Sequence, residues 1–408
     1  RSWDQVFSDI LIGKDDSADQ RGALQFLKSR SRDLDDMTND TSSLFFGVSI
    51  NCAKCHDHPL VDDWKQDHYF GLQSFFSRTY MTRSRRLAEK PWDEVKFKTT
   101  AGEEKTAQFM FLTGAVTTEP VVERSEEQRK AENEEVRRQR DKDDVPPPPE
   151  PAFSPRLELV RLALAPENRS FLARSIVNRT WARLMGRGLV HPVDQMHSAN
   201  PASHPDLLDW LERDFVEHDF DVKRLIGGIV LSETYARSTQ WTQQGEPPAP
   251  EVFAVATVRP MTPKQVSLSL SIATSHPDRH AKVLEEAGWA PTREQLENQA
   301  AGFASLLEYP GEHFQVSVTE ALLFSNSSRV QSDYLRDGGD RLLGWLQSFP
   351  DDDAAVRSAF GAVLTREPAA DEVELFRRYL AERNDRRVAA LQQVVWALLT
   401  SPEFRFNH

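Results

Sequence analysis

The decapeptide NCAKCHDHPL, residues 51–60, contains both cysteines of the 408-residue chain. They stand at positions 52 and 55, and a histidine follows the second one directly, which gives the pattern Cys-x-x-Cys-His. Because this spacing is close to one helical turn, the two thiols are expected on the same edge of that turn. The stretch therefore predicts a site that holds one group through two sulfur atoms and an imidazole.

Cys-x-x-Cys-His is the attachment pattern of c-type haem. In that pattern the thiols of Cys52 and Cys55 add to the two vinyl groups of the porphyrin, and His56 becomes the proximal ligand of the iron. We therefore predict one covalently bound haem c per chain. His58 is too close in sequence to His56 to reach the opposite face of the haem, so we expect it to bond a propionate or the local backbone.

Three other interpretations of the motif remain open. Zinc would take Cys52, Cys55 and either His56 or His58, with a fourth ligand from elsewhere, although structural zinc sites commonly use a second cysteine pair. A redox-active dithiol would need a strand-to-helix setting, which the flanking sequence does not offer. The third interpretation is a pair of buried structural thiols beside a surface histidine.

Composition indicates a globular protein with two domains or one elaborated domain. Hydrophobic residues make up 39% and charged residues 28% of the chain, and its length exceeds that of one typical core. It has no apolar run of about 18 residues, so no transmembrane segment is predicted. The net charge of −13 argues against broad binding of a phosphate backbone, and no nucleic-acid partner is expected.

Hydrophobic periodicity predicts a mainly α protein, with a multi-helix haem-bearing domain, a small β-hairpin insertion and a helical C-terminal domain. The apolar run through Leu44, Phe45, Val48 and Cys52 is predicted as one helix. The predicted segments are a helical haem-binding segment (1–90), a hairpin turning at Ala101-Gly102 (91–122), a charged and proline-rich linker (123–151) and a helical partner domain (152–408). The charged part of the linker is expected to be an exposed helix or disordered.

Aromatic residues are dense just after the motif. They are Trp64, Tyr69, Phe70, Phe75 and Phe76. Such a group either lines an apolar cavity for a cofactor or forms an ordinary hydrophobic core, and the sequence leaves both interpretations open.

The chain opens on RSWDQVFSDILIG and shows no signal peptide, so we expect a processed or truncated chain. Covalent attachment of haem is normally completed outside the cytoplasm. The haem prediction therefore implies an exported protein, periplasmic or extracellular.

Three stretches carry a resemblance to a known family. Residues 45–80, FFGVSINCAKCHDHPLVDDWKQDHYFGLQSFFSRTY, resemble the cytochrome-associated domain found in many large planctomycete proteins. Residues 168–215, NRSFLARSIVNRTWARLMGRGLVHPVDQMHSANPASHPDLLDWLERDF, are similar to its C-terminal partner domain, and residues 394–408 to that partner's closing motif. The pair is known as the PSCyt and PSD domains, and its biochemical activity is unassigned.

The resemblance implies a secreted or periplasmic haem protein. It places the haem motif on Cys52, Cys55 and His56 and the motif's extension on Asp57, His58 and Pro59. The partner domain's NPxSHP pattern falls on Asn200, Pro201, Ser203, His204 and Pro205.

The ligand on the distal side of the iron would separate electron transfer from catalysis, because a catalytic haem keeps one position open. We favour His204, which the resemblance singles out and which stands at a predicted helix entrance. The alternative is that this histidine only caps or packs the helix start. Further candidates are His197, Met196, Met185, His68 and His191.

The sequence therefore predicts an exported mono-haem c-type protein that exchanges electrons with a redox partner protein. One alternative is a haem enzyme with an open distal site, which performs peroxidase-like or oxygen-dependent chemistry on a small-molecule substrate, for example a carbohydrate. Another is an assembly protein in which the haem is structural.

Overall fold

The computed structural model describes residues 1–57, 61–143, 145–310 and 317–407, with no side chain described for residue 407. The chain forms two compact units, Arg1–Thr257 and Val258–His408. Helices account for 54% of the structure and strands for 6%, which confirms the mainly α prediction. The boundary between the units falls inside the predicted partner domain (152–408) and not in the predicted linker (123–151).

Helices and short hairpins together build unit 1. Its helices are α1 (Trp3–Ile12), α2 (Gln25–Arg30), α3 (Leu34–Thr41), α4 (Gln66–Ser74), α5 (Glu126–Asp141), α6 (Pro155–Leu164), α7 (Ser170–Met185), α8 (Pro205–Glu217) and α9 (Val222–Val230). A π-helical turn covers Ser42–Phe46, and 3-10 turns cover Asn51–Lys54 and Pro250–Val252. The strands are β1 (Thr79–Met81), β2 (Leu87–Glu89), β3 (Lys96–Lys98), β4 (Glu104–Thr106), β5 (Phe109–Met110) and β6 (Val116–Thr117).

A row of aromatic rings forms the centre of unit 1. Phe7, Phe46 and Phe111 are fully buried. Phe46 meets Phe7 edge to face at 5.8 Å between ring centroids, and Phe111 at 5.0 Å; Phe111 in turn meets Phe171 at 5.8 Å. Each such pair adds about 1 kcal/mol to the hydrophobic gain of burial. The row joins α1, the π-turn, the β5–β6 hairpin and α7 into one core.

Antiparallel hairpins follow the motif region. The first lies within the segment predicted as helical (1–90), and the other two lie within the segment predicted as one hairpin insertion (91–122). β1 pairs with β2, β3 with β4, and β5 with β6. The β3–β4 hairpin turns through Gly102, whose φ of +85° lies in the left-handed region. The hairpin predicted at Ala101-Gly102 is thus confirmed, and a second one follows it.

The charged stretch after the hairpins is the exposed helix α5, one of the two outcomes predicted for it. Ser125 accepts a hydrogen bond from the backbone N–H of Gln128, and the Gln128 side chain accepts one from the Ser125 N–H, which forms a capping box. At its other end, Gln139 donates to the Pro146 carbonyl at 2.7 Å, and its own carbonyl accepts from the Arg83 N–H at 2.8 Å. The segment predicted as a linker is therefore hydrogen-bonded to the rest of unit 1.

Unit 2 is helical around its own core, which includes Leu270, Leu346 and Phe360. Its helices are α10 (Pro263–Ala273), α11 (Pro277–Ala287), α12 (Trp289–Ala304), α13 (Val318–Asn326), α14 (Ser328–Asp333), α15 (Leu342–Gln347), α16 (Asp352–Leu364), α17 (Ala370–Ala381), α18 (Arg387–Leu399) and α19 (Pro402–Arg405), with a 3-10 turn at Asn384–Arg386. Strands β7 (Arg259–Pro260) and β8 (Phe406–Asn407) pair antiparallel. The pairing connects the first and last elements of this unit.

The helix predicted through Leu44, Phe45, Val48 and Cys52 is wrong. The α-helix ends at Thr41, the π-turn ends at Phe46, and Gly47 follows with a φ of +69°. Leu44 is 41% exposed, whereas Phe45 and Val48 are buried. Helical periodicity fails here because a left-handed residue reverses the chain before the cysteines are reached.

The stretch after Gly47 pairs with a distant loop. The N–H of Met196 donates to the Gly47 carbonyl at 3.0 Å, and the N–H of Ser49 donates to the Asp194 carbonyl at 2.7 Å. Val48 and Gln195 form the antiparallel bridge between these two bonds. We call this contact, residues 47–49 with residues 194–196, the backbone bridge.

Gly47→Ala is expected to destabilise unit 1 more than Gly102→Ala. A Cβ on either residue meets the left-handed strain, which costs about 1 kcal/mol. At Gly47 the Cβ also falls 2.5 Å from the Met196 Sδ and 3.4 Å from the Ser175 Cβ, whereas nothing lies within 4 Å at Gly102. Overpacking should therefore raise the loss for G47A to about 2 kcal/mol or more.

Urea unfolding followed by circular dichroism measures both variants. Gly102→Ala is the control for backbone strain alone. An equal loss of unfolding free energy in the two variants would show that a methyl group at position 47 fits beside Met196 without overpacking.

Candidate functional site

The Cys-x-x-Cys-His motif forms a surface turn with an anchored centre. Asn51–Lys54 is a 3-10 turn, and Cys55 follows it directly. Both cysteines are exposed and form no disulfide, while Ala53 between them is fully buried. The turn thus presents two accessible thiols from a position fixed by the core, and the interpretation as two buried structural thiols is wrong.

His56 is exposed, and its hydrogen bond assigns its tautomer. The ring Nδ1 lies 2.7 Å from the Asp57 carbonyl oxygen. Since a carbonyl oxygen only accepts, Nδ1 carries a proton, and in the neutral ring the lone pair is therefore on Nε2. A neutral imidazole whose other nitrogen donates to a carbonyl is the usual state of a metal-binding histidine.

The turn is held by one carboxylate, that of Asp35 on α3. Asp35 accepts from the Tyr69 hydroxyl at 2.7 Å and from the Gln73 amide at 2.8 Å, and it forms a short ion pair with the Lys54 Nζ. Gln66 adds a hydrogen bond from its amide to the Lys54 carbonyl at 3.3 Å. Lys54, one of the two residues between the cysteines, is thereby tied to α3 and α4.

Hydrogen bonding keeps Asp35 ionised. Burial alone would raise the pKa of Asp35, but the hydrogen bonds from Lys54, Tyr69 and Gln73 outweigh it and the pKa lies below its ordinary value of 3.8. The same contact raises the pKa of Lys54, and burial together with this carboxylate raises the pKa of Tyr69 well above its ordinary range. The cluster therefore keeps its charges over the whole neutral range.

The helix after the motif is tied to it as well. The Asp57 carboxylate accepts from the backbone N–H of Gln66, the first residue of α4, at 3.1 Å. His58, predicted to bind the cofactor, lies outside the described residues, as do Pro59 and Leu60.

The aromatic residues after the motif divide between the two predicted roles. Tyr69, Phe75 and Phe76 are fully buried in the core of unit 1. Phe70 stacks on Phe97 at 4.2 Å between ring centroids. Trp64 belongs to the same core and also lines a cavity, so the core interpretation is confirmed for most of these residues and a cofactor role of the cavity stays a prediction.

The cavity has a volume of about 720 Å³, and we call it the Trp64 cavity. Its wall combines Asp63 and Trp64 before α4, His68 on α4, residues of α7 and α8, and the loop after the backbone bridge. Trp64 and Phe171 face each other at 6.2 Å between ring centroids. The Ser198 N–H and hydroxyl donate to the Asp63 carboxylate at 2.7 and 2.9 Å.

Several predicted distal ligands lie at this cavity, but His204 does not line it. His68, Met196 and His197 are part of its wall. His204 directly precedes α8, where its Nδ1 lies 3.1 Å from the Ser203 hydroxyl and its ring packs on Phe253 at 5.7 Å. Of the remaining candidates, Met185 is buried in the core and His191 is half-buried.

His68 has the opposite tautomer to His56. The backbone N–H of Lys65 donates to its Nδ1 at 3.2 Å, so the proton of the neutral ring is on Nε2. Burial is the main cause that lowers the pKa of His68 below its ordinary value. This ring is therefore a neutral hydrogen-bond donor at pH 7.

Arg174 lies in the cavity wall, but its charge is already used. It donates to Glu212 and to Asp209, both on α8. Arg174 thus forms ion pairs with two carboxylates of the neighbouring helix. Arg179 instead donates to the Ser43 carbonyl at 2.5 Å and thereby ties α7 to the π-turn.

The described ranges of the chain omit residues 58–60, 144, 311–316 and 408. They contain no group of three or more His, Cys, Asp or Glu side chains arranged to hold a metal ion, so the zinc interpretation gains no ligand set there. Within the same ranges, no helix is long and apolar enough to cross a membrane.

Comparison with protein families gives two matches. Residues 1–82 match PSCyt2, described as a protein of unknown function (DUF1549). Residues 155–303 match PSD1, described as a protein of unknown function (DUF1553). No curated protein and no solved structure matches the chain. The matches cover two of the three stretches that carry the resemblance, residues 45–80 and 168–215, whereas residues 394–408 lie outside both matches.

Asp35→Ala is expected to lower the free energy of unfolding by about 1–3 kcal/mol, because it leaves the buried Tyr69 hydroxyl and the Gln73 amide without their acceptor. Asp36→Ala removes the exposed neighbouring carboxylate on the same helix turn and should change stability by a few tenths of a kcal/mol. Chemical denaturation at pH 7 compares the two variants.

The difference between wild type and D35A should also depend on pH. Because the folded-state pKa of Asp35 is depressed, its ionic contribution is complete above the unfolded value of 3.8 and is lost as the pH falls through the folded value. A difference that grows on acidification would contradict the described hydrogen bonds.

Proposed function

We propose that this chain, which carries the planctomycete cytochrome-associated domain pair, binds one haem c covalently and transfers electrons to or from a redox partner protein. Cys52 and Cys55 would form the two thioethers, and His56 would be the proximal iron ligand. The proposal places the protein in the periplasm or outside the cell, because covalent haem attachment is normally completed there.

The observation that carries the proposal is the exposed, anchored turn. Haem attachment needs two thiols that are accessible and reduced, and both cysteines are exposed and free. It also needs an imidazole with a free nitrogen directly after the second thiol, and the hydrogen bond of His56 leaves its Nε2 lone pair available. The donor set therefore fits the group that the motif predicts.

The rest of the turn supports attachment at a fixed position. Ala53 is buried and Lys54 is tied to Asp35, so the backbone between the cysteines is held while their side chains face solvent. The bound haem would supply a one-electron change at its iron. The residues of this chain would fix its orientation through two bonds and set one of its axial ligands.

His204 stays the predicted distal ligand in this proposal. A closed, six-ligand iron is the state expected of an electron-transfer protein. If His204 occupies the sixth position, the reduced wild-type protein should not bind carbon monoxide and His204→Ala should bind it. An unchanged absorption spectrum in H204A would remove this residue as a ligand.

A haem enzyme with an open distal position is the second candidate. The Trp64 cavity favours it, because a concave site with imidazoles and aromatic walls suits a small substrate. Here the reduced wild-type protein should itself bind carbon monoxide and shift its main absorption band. Absence of any shift in the wild type would argue for electron transfer.

Covalent haem is tested by maturing the full chain in a host that attaches c-type haem in its periplasm. The denatured wild-type protein should keep the mass of one haem and its absorption. The double variant Cys52→Ala/Cys55→Ala should lose both completely, because no other cysteine exists in the sequence.

Asn51→Ala is the matched control, since it changes an exposed residue of the same turn without removing a thiol. It should keep the haem. Wild-type protein that is colourless and has the bare polypeptide mass after maturation would defeat the proposal.

A further inference from the structure

We infer that the Trp64 cavity is a binding site for a small organic ammonium ion with an apolar body. The cavity is formed by residues outside the Cys-x-x-Cys-His motif, and the inference does not rest on the proposed haem function. It follows from the volume of the cavity and the charges in its wall.

The volume and the wall suit a small molecule with a hydrophobic part. Small-molecule sites commonly enclose between about 300 and 1,000 Å³, and this cavity holds about 720 Å³. Trp64, Phe171 and Met196 supply apolar surface on three different segments of the chain. An aromatic or alkyl body of a few carbon atoms would therefore bury its surface here.

The charges in the wall favour a positive ligand. Arg174 is the only Lys or Arg among the described residues that line the cavity, and it is already paired with Asp209 and Glu212. Asp63 accepts only uncharged donors, from the backbone and hydroxyl of Ser198. Among the described residues, no Lys or Arg lies within ion-pair distance of Asp63. Its carboxylate therefore adds a negative charge that the wall does not balance.

The aromatic rings in the wall also favour a positive ligand. The rings of Trp64 and Phe171 attract a cation through their negative faces. An organic anion would meet Asp63 and Asp209 without a free positive charge to compensate them.

The first test uses three ligands that share a phenyl body and differ in charge: phenethylammonium, 2-phenylethanol and phenylacetate. Isothermal titration of the full chain at pH 7 and low salt should show that phenethylammonium binds at least tenfold more tightly than the alcohol, because only the ammonium adds the attraction of opposite charges to its hydrogen bond with the Asp63 carboxylate. Phenylacetate should bind most weakly. The inference is overturned if phenethylammonium does not bind at millimolar concentration, or if either other ligand binds as tightly.

The second test removes the unbalanced charge. Asp63→Asn should weaken binding of phenethylammonium about tenfold or more and leave 2-phenylethanol nearly unchanged. Asp67→Asn is the matched control, because Asp67 is a nearby carboxylate on α4 that pairs with Lys105 and does not line the cavity. Equal weakening in both variants, or none in D63N, would overturn the assignment to Asp63. The ligand series on the wild type decides the charge preference even if a variant folds poorly.

Discussion

The backbone bridge between residues 47–49 and 194–196 is the constraint on which the site of unit 1 depends. Two main-chain hydrogen bonds, from the Met196 N–H to the Gly47 carbonyl and from the Ser49 N–H to the Asp194 carbonyl, hold these segments together. The segment that continues from Ser49 enters the cysteine turn, and the one that continues from Met196 lines the Trp64 cavity. Both features are therefore positioned by one contact, and Gly47 is needed because a larger residue would displace Met196.

The cysteine turn reconciles two opposite physical requirements. A thiol that reacts with a bulky group must be exposed, whereas a group bound in one orientation needs a rigid support. The turn meets both by alternation: the thiols at its two ends face solvent, while Ala53 is buried and Lys54 is tied to Asp35. Burying Asp35 without partners would be unfavourable, and the Tyr69 and Gln73 donors of α4 remove that cost. The rigid support of the cysteine turn therefore requires both α3 and α4 in their folded positions.

Local features of the fold could be predicted from the sequence, but long-range pairings could not. Hydrophobic periodicity, the Ala101-Gly102 turn and the charge pattern of α5 are visible within short windows, and the structure agrees with each of them. The helix predicted through Cys52 failed because periodicity does not report a left-handed residue at Gly47. The contact of Asp63 with Ser198 joins positions 135 residues apart, and no pattern in either segment signals it. The Asp35 cluster was missed for the same reason, since its members are polar residues on two different helices.

His56 and His68 stand on either side of the start of α4. They show how backbone hydrogen bonds alone can place the proton of a neutral imidazole on different nitrogens. A carbonyl next to His56 takes the proton of Nδ1 as a hydrogen bond and leaves Nε2 as a lone pair, which suits a metal ion. The backbone N–H of Lys65 occupies Nδ1 of His68 and leaves the proton of the neutral ring on Nε2. The two rings also differ in exposure, because His68 is partly buried whereas His56 is exposed beside the thiols. The hydrogen-bond partners thus give the neutral rings different free atoms, a lone pair at Nε2 of His56 and an N–H at Nε2 of His68.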